Sequence, residues 1–220
     1  MKKLFKIIIL LFQNCSPLRI YQIIECNDYI LNGKSLEFGA STKYEKNFSN
    51  FVRGKSKFSY SNLSNCNNKD IIPLDLTKKL KINSNKYDNI LVFNVFEHMN
   101  DHSIAFSEIK RTLKKNGNLF ASTPFLYQIH GAPKDYFRFT KDFFLDKLKK
   151  IGFRKIKIKC LGYGPFVACF SIIHSYIKYL PLITHIILFM CYLVDSILQL
   201  FVKTKLNEIY PIGIFLIAKK

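Results

Sequence analysis

Tyr87-Asp88-Asn89-Ile90-Leu91-Val92-Phe93-Asn94-Val95-Phe96-Glu97-His98 is the stretch that decides the fold. Its first seven residues form an apolar run bounded by polar ones, the pattern of a strand buried on both faces. The residues after it are polar and aromatic, as in a turn that leaves a sheet. Upstream, Ser35-Leu36-Glu37-Phe38 lies between Gly33 and Gly39 and reads as a short strand entering a tight turn. Residues 57–63 and 71–76 read as two more extended pieces. Downstream, Asp101 is placed to cap a helix carrying Phe106, Ile109 and Leu113, ended by Asn116-Gly117. A strand over 118–122 follows. Thr140 then caps a helix with Phe144, Leu148 and Ile151 on one face, closed by Gly152. Residues 154–160 alternate as an edge strand does, and 212–218 make a last strand. Such strand–helix alternation predicts an α/β fold: a mostly parallel sheet with helices on both faces.

In sheets of this kind ligands bind beyond the carboxyl ends of the strands. Three segments therefore hold the candidate site: Glu37-Phe38-Gly39-Ala40-Ser41-Thr42, Asn94 to Asp101, and the polar-aromatic loop 129–140. That loop gathers His130, Asp135, Tyr136 and Arg138.

These residues carry a resemblance. Ser35-Leu36-Glu37-Phe38-Gly39, Tyr87-Asp88-Asn89-Ile90, Phe96-Glu97-His98 and the run from Glu108 to Gly117 are similar, in order and spacing, to class I S-adenosylmethionine-dependent methyltransferases. The likeness is to the type 11 branch that acts on small molecules. The stretch from His130 to Thr140 further resembles a subgroup found in bacterial surface-polysaccharide pathways. The resemblance covers about residues 30–160, and 210–219 match the family's last strand. It implies a Rossmann-like, doubly wound sheet of seven strands, the last antiparallel. The chain is then expected to be one domain over 1–220: an N-terminal helical region (1–30), a core (31–161), an apolar helical insertion (165–205) and the last strand (210–219).

The resemblance also implies roles. S-adenosylmethionine is the expected cofactor. Glu37 and Gly39 would line its methionine end, Asn62 its ribose, and Asp75 its adenine, with Ser41, Asn94 and Phe96 also at the cofactor. Ser41 replaces a family glycine, and Asn62 replaces a family acid. A base is needed only if the acceptor is a hydroxyl or protonated amine. His130 and His98 are the candidates, since histidine titrates near neutral pH. Asp135 and Arg138, three apart, either pair to order the loop or read acceptor hydroxyls or a phosphate. A binding protein on a decayed scaffold is the competing class.

The chain has 220 residues, 49% of them hydrophobic, and a formal charge of +19. Disorder is excluded by that composition. Charge of this size suggests nucleic acid or anionic membrane. Yet 29 of the 34 basic residues are Lys, only five are Arg, and Asn occurs 17 times. A/T-rich codons explain this bias, and Arg is what a phosphate-reading surface favours. Nucleic acid is therefore not the expected partner, a view supported by the absence of an Asn/Asp-Pro-Pro-aromatic turn at Asn94. The six cysteines lack C-x-x-C spacing and read as buried thiols in a reducing compartment, with no metal site expected.

Two apolar segments raise the question of a membrane. Residues 7–12, flanked by lysines, read as a first helix rather than a cleaved signal. Residues 182–202 carry one formal charge, Asp195, and are long enough to span a bilayer. Asp195 and Gln199 share one helical face, however, and Pro181 separates two apolar stretches. A lipid-facing hairpin is the leading expectation, ahead of a cap folded on the core and of a true span. This places the chain in the cytoplasm, on the inner face of the membrane, with a small-molecule or lipid-linked acceptor.

Overall fold

The computed structural model describes residues 7, 10, 15–63, 69–131 and 134–220. Its strands are β1 (Gly33–Phe38), β2 (Ser56–Asn62), β3 (Ile71–Pro73), β4 (Tyr87–Phe93), β5 (Leu113–Pro124), β6 (Arg154–Leu161) and β7 (Gly213–Lys219). They form one sheet in the order β3-β2-β1-β4-β5-β7-β6. The first five pair in parallel, and β7 lies antiparallel between β5 and β6. This is the mostly parallel, seven-stranded arrangement with an antiparallel last strand expected above.

Strand alternation divides the core. On β4, Ile90 and Val92 face one side of the sheet, while Leu91 and Phe93 face the other. The first side is covered by α2 (Ala105–Thr112) and α3 (Lys141–Ile151), through Phe106, Ile109, Phe144 and Leu148. The second is covered by α1 (Pro17–Cys26), α4 (Pro165–Ile177) and α5 (Pro181–Phe201), through Ile20, Ile23, Val167, Phe170 and Leu188. A one-residue register slip would exchange the two faces, so burial on both sides fixes the register.

Local signals account for most boundaries. Ser16 accepts the Arg19 N–H at 3.4 Å, and Pro17 opens α1. Thr140 accepts the Phe143 N–H at 3.3 Å, and Gly152, at φ 86°, ends α3. β3 stops at Pro73, which has no N–H for a ladder.

The region around Leu113 departs from expectation. Asp101 does not cap α2; its carboxylate accepts the Ser103 N–H and hydroxyl at 2.7 and 2.8 Å. The helix ends at Thr112, and Leu113 already pairs with Tyr87 in the sheet. Residues 114–117 bulge out, with Asn116 left-handed at φ 66°, before Asn118 resumes pairing with Asn89. The thiols also differ from expectation. Cys26 and Cys160 are buried, Cys15 and Cys191 are half-buried, and Cys169 is exposed on α4 because the outer side of the hairpin is uncovered.

Between β6 and β7 the apolar segment forms the α4–α5 hairpin, followed by α6 (Leu206–Ile209). Asp195, fully buried, accepts the Phe166 and Val167 N–H groups at 3.0 and 2.9 Å and so caps α4 from the side. Gly164 permits that approach, since a Cβ there would lie 2.5 Å from the Asp195 carboxyl carbon. Gln199 accepts the Leu206 N–H at 2.9 Å. Asp195 and Gln199 therefore face the protein. Leu182, Phe189, Leu200 and Phe201 face outward, 60–82% exposed. α5 is one helix of 21 residues, long and apolar enough to cross a membrane.

Ile7 and Leu10 are helical and buried against α1 and its neighbours. The rest of the expected first helix, Cys66, and Ala132-Pro133 of the polar-aromatic loop lie outside the described residues.

Candidate active site

Strand order reverses between β1 and β4, which opens a crevice at their carboxyl ends. A cavity of about 220 Å³ occupies it, lined by Gly39, Asn62, Asp75, Asn94, His98 and Met99 among others. Four of the expected cofactor residues thus meet around one space: Gly39, Asn62, Asp75 and Asn94.

Backbone demands explain two of them. Gly39 is left-handed at φ 69°, and a Cβ there would lie 2.6 Å from the Val95 Cγ2. Asn94 is also left-handed, at φ 53°, a conformation that Asn tolerates better than most residues. Its side chain pairs with the Gln22 amide of α1: Oδ1 accepts at 2.7 Å and Nδ2 donates at 3.3 Å. The Asn62 amide is engaged locally, donating to Ala40 O at 2.9 Å and accepting the Leu63 N–H at 2.7 Å. Partial burial raises the Asp75 carboxyl, but hydrogen bonds from the Thr77 hydroxyl and N–H outweigh it and hold the group below its usual range.

Three expected residues sit elsewhere. Glu37 is buried beneath the first turn, where its carboxylate accepts the Phe48 and Ser49 N–H groups at 2.7 and 2.9 Å. Burial pushes its carboxyl up, against those two bonds. Ser41 borders a separate groove beside β2, its N–H donated to Asn47 Oδ1 at 2.7 Å. Phe96 is fully buried and stacks on Phe106 at 4.7 Å.

Residues 127–131 and 134–138 pack against the 3₁₀ turn Phe96–His98. Glu97 O accepts the Tyr136 N–H at 2.8 Å, and Lys134 O accepts the His98 Nδ1–H at 2.6 Å. Arg138 grips Asp135 with both arms at 2.5 and 2.7 Å, and Asp135 also accepts the His130 N–H at 2.9 Å. The guanidinium holds the Asp135 carboxyl far below its usual range. His130, Asp135 and Arg138 therefore do come together, with the ion pair ordering the loop. The His130 ring lies 5.0 Å from that of His98, which in turn lines the cavity. His98 thus joins the two groups of residues.

Comparison with known proteins agrees with the fold. Residues 52–121 match the model of a family described as a methyltransferase domain. The seven-stranded sheet is the Rossmann-like methyltransferase fold. The chain's fold is similar to that of a methyltransferase from Archaeoglobus fulgidus, at TM-score 0.56 and 12% identity, over 93% of this chain and 92% of that one. A methyltransferase from Thermotoga maritima gives TM-score 0.57 and 14% identity, over 96% and 92%. Phosphoethanolamine N-methyltransferase 2 of Haemonchus contortus gives 0.56 and 14% over 90% of this chain, which spans 52% of that protein's length. At these identities the likeness is one of fold. No curated protein matches the chain.

Glu97 has no role assigned from the sequence, although it stands in the Glu-His turn. The side chain is fully buried, and neither carboxylate oxygen has a hydrogen-bond partner among the described residues. Burial pushes its carboxyl up to about 8. The signal was a charged residue in the turn directly after a buried strand. Gln22 was also missed, because nothing in an amphipathic helix marks which polar residue will reach a strand end 72 positions away.

Proposed function

We propose that the chain is a methyltransferase that uses S-adenosylmethionine and acts on a small or lipid-linked acceptor, a sugar intermediate of surface-polysaccharide synthesis. The observation that carries this reading is the convergence of Gly39, Asn62, Asp75 and Asn94 on one cavity at the switch point of the family's fold.

The donor set suits the cofactor. The bare Gly39 edge admits close backbone approach, Asp75 offers a carboxylate for amino or hydroxyl groups, and Leu74, Val95 and Met99 supply apolar walls. S-adenosylmethionine, when bound, supplies an electrophilic sulfonium methyl that an acceptor nucleophile displaces in line. The chain's task is then positioning and exclusion of water, which can lower such a barrier by roughly 7–11 kcal/mol. Asp135 and Arg138 order the loop that holds His130 on the acceptor side, where it would take a proton from a hydroxyl acceptor.

One observation favours a second reading, a binding protein on a catalytically decayed scaffold. The cavity is about 220 Å³, whereas small-molecule sites usually enclose about 300–1,000 Å³. The Asn62 amide is also already committed to backbone. Equilibrium dialysis of S-adenosylmethionine separates the readings. Binding below millimolar cofactor, with methyl transfer to a membrane-extract acceptor, supports the enzyme; no binding at millimolar cofactor supports the decayed scaffold.

The exposed apolar side of α5, beside a Lys-rich core, supports placement on an anionic inner membrane surface. Because Asp195 and Gln199 dock α5 on the protein, a lipid-facing hairpin fits this helix better than a span. Flotation with anionic liposomes tests it: a chain that stays at the bottom of the gradient has a cap rather than a membrane surface.

A further inference from the structure

We propose that Glu97, His98 and His130 bind a divalent first-row transition-metal ion. One ligand atom from each, a carboxylate oxygen and two imidazole nitrogens, all lie within 4.8 Å of one another. Two imidazoles and one carboxylate are a donor set used by zinc, manganese and ferrous sites that keep open positions.

Glu97 makes the cluster a site rather than a coincidence of polar residues. It is fully buried, both its oxygens lack a partner among the described residues, and Oε1 faces His98 Nε2 at 3.8 Å. A carboxyl buried without compensation is costly to ionise, so it keeps its proton until a cation or a donor reaches it. The nearest guanidinium, Arg138, is committed to Asp135 and to Gln128 O. It reaches Glu97 only as a charge acting through space.

The surroundings also orient the rings as ligands. With Lys134 O holding the His98 Nδ1–H, Nε2 is the ligating atom. His130 Nδ1 lies 3.3 Å from both Gln128 O and Asp135 Oδ2, so acceptors support the imidazole from its far side. Ligating histidines commonly have such partners, which fix the tautomer and strengthen the donor. Bonds of about 2.0–2.2 Å require the three ligands to draw together by roughly an ångström. His130, on a loop, is the member free to move.

The inference rests on the methyltransferase reading and sharpens it. Because His98 also lines the switch-point cavity, an ion here would present its open positions to an acceptor hydroxyl or carboxylate beside the methyl donor. His130 would then be a ligand and not a free base.

Untagged full-length protein is stripped with EDTA and titrated with Zn²⁺ and Co²⁺, reading ion content by mass spectrometry and the cobalt by visible absorption. One tightly held equivalent is expected. Glu97→Gln and His130→Ala should each weaken it at least tenfold, Asp135→Asn by roughly 10–100-fold, and Cys169→Ser not at all. Circular dichroism checks folding, and if Glu97→Gln fails to fold, the half-exposed His130→Ala decides. Absence of a stoichiometric ion, or binding that survives both Glu97→Gln and His130→Ala, overturns the proposal. Cofactor dialysis on the same samples keeps the two readings apart. Ion binding without cofactor binding sinks only the methyltransferase reading, and cofactor binding without an ion sinks only this one.

Discussion

Glu37 and Glu97 are buried alike, 2% and 0% exposed, and each stands at the carboxyl end of a central strand or in the turn just after it. Their surroundings differ. The backbone of the 3₁₀ turn Phe48–Phe51 closes on Glu37 and gives its carboxylate two N–H donors. Around Glu97 the described residues supply none. Depth alone therefore does not assign a role to a buried acid. A carboxylate saturated by backbone acts as a brace, and one left unsatisfied is where an outside group can bind.

The largest effect that tests this contrast is Glu37→Ala. It strands two buried N–H donors, each worth about 1–3 kcal/mol, so melting should fall by roughly 5–15 °C for a chain of this length. Glu97→Gln should move the metal-free protein by less than about 1 kcal/mol, since no protein bond is lost. Equal losses in calorimetry would erase the distinction. Next is Asp195→Ala, which uncaps α4 inside the protein and should cost about 1–3 kcal/mol, measured by denaturant unfolding.

Smaller is Gly39→Ala. The left-handed backbone penalises a Cβ by about 1–2 kcal/mol, and contact with Val95 narrows the cavity. Cofactor affinity should drop about tenfold or more in equilibrium dialysis. The brace also predicts a pH slope. Burial raises the Glu37 carboxyl above its unfolded value, so the native state holds that proton more tightly. Its contribution to stability is full below about pH 4.3 and declines as pH rises through the folded value. Urea midpoints measured across pH should flatten in Glu37→Gln. The smallest effect is expected for Leu200→Ser with Phe201→Ser, both over 80% exposed. Stability should change by less than about 0.5 kcal/mol, while liposome flotation weakens if α5 faces lipid.

Much of this fold was legible in advance. β1, β4, β6, β7 and α3 follow from apolar periodicity and end signals that tertiary contacts reinforce. The segment at Leu113 was not, because Leu113 continues the helical spacing of Phe106 and Ile109 while Asn116-Gly117 imitates a helix end. Pairing with Tyr87 draws Leu113 into the sheet, and only the neighbouring strand reveals that competition. Legibility of the site follows the same line. Gly39, Asn62, Asp75 and Asn94 could be placed because strand ends in an α/β sheet point to one edge. Phe96 and Glu97 could not be told apart in role, since a short 3₁₀ turn has no period to show which side chain faces which neighbours.

By itself, the sequence determined the α/β class, the strand ends that meet at the crevice, and the apolar hairpin before the last strand. These depend on local periodicity and on residue types that few backbones tolerate. Only the tertiary structure decided that Glu37 is saturated while Glu97 has no hydrogen-bond partner among the described residues, and that Asp195 looks inward to cap α4. It also brought His130 up to His98 across 32 positions of chain. Each of those outcomes depends on which donor arrives from a distant segment, and no local pattern encodes that arrival.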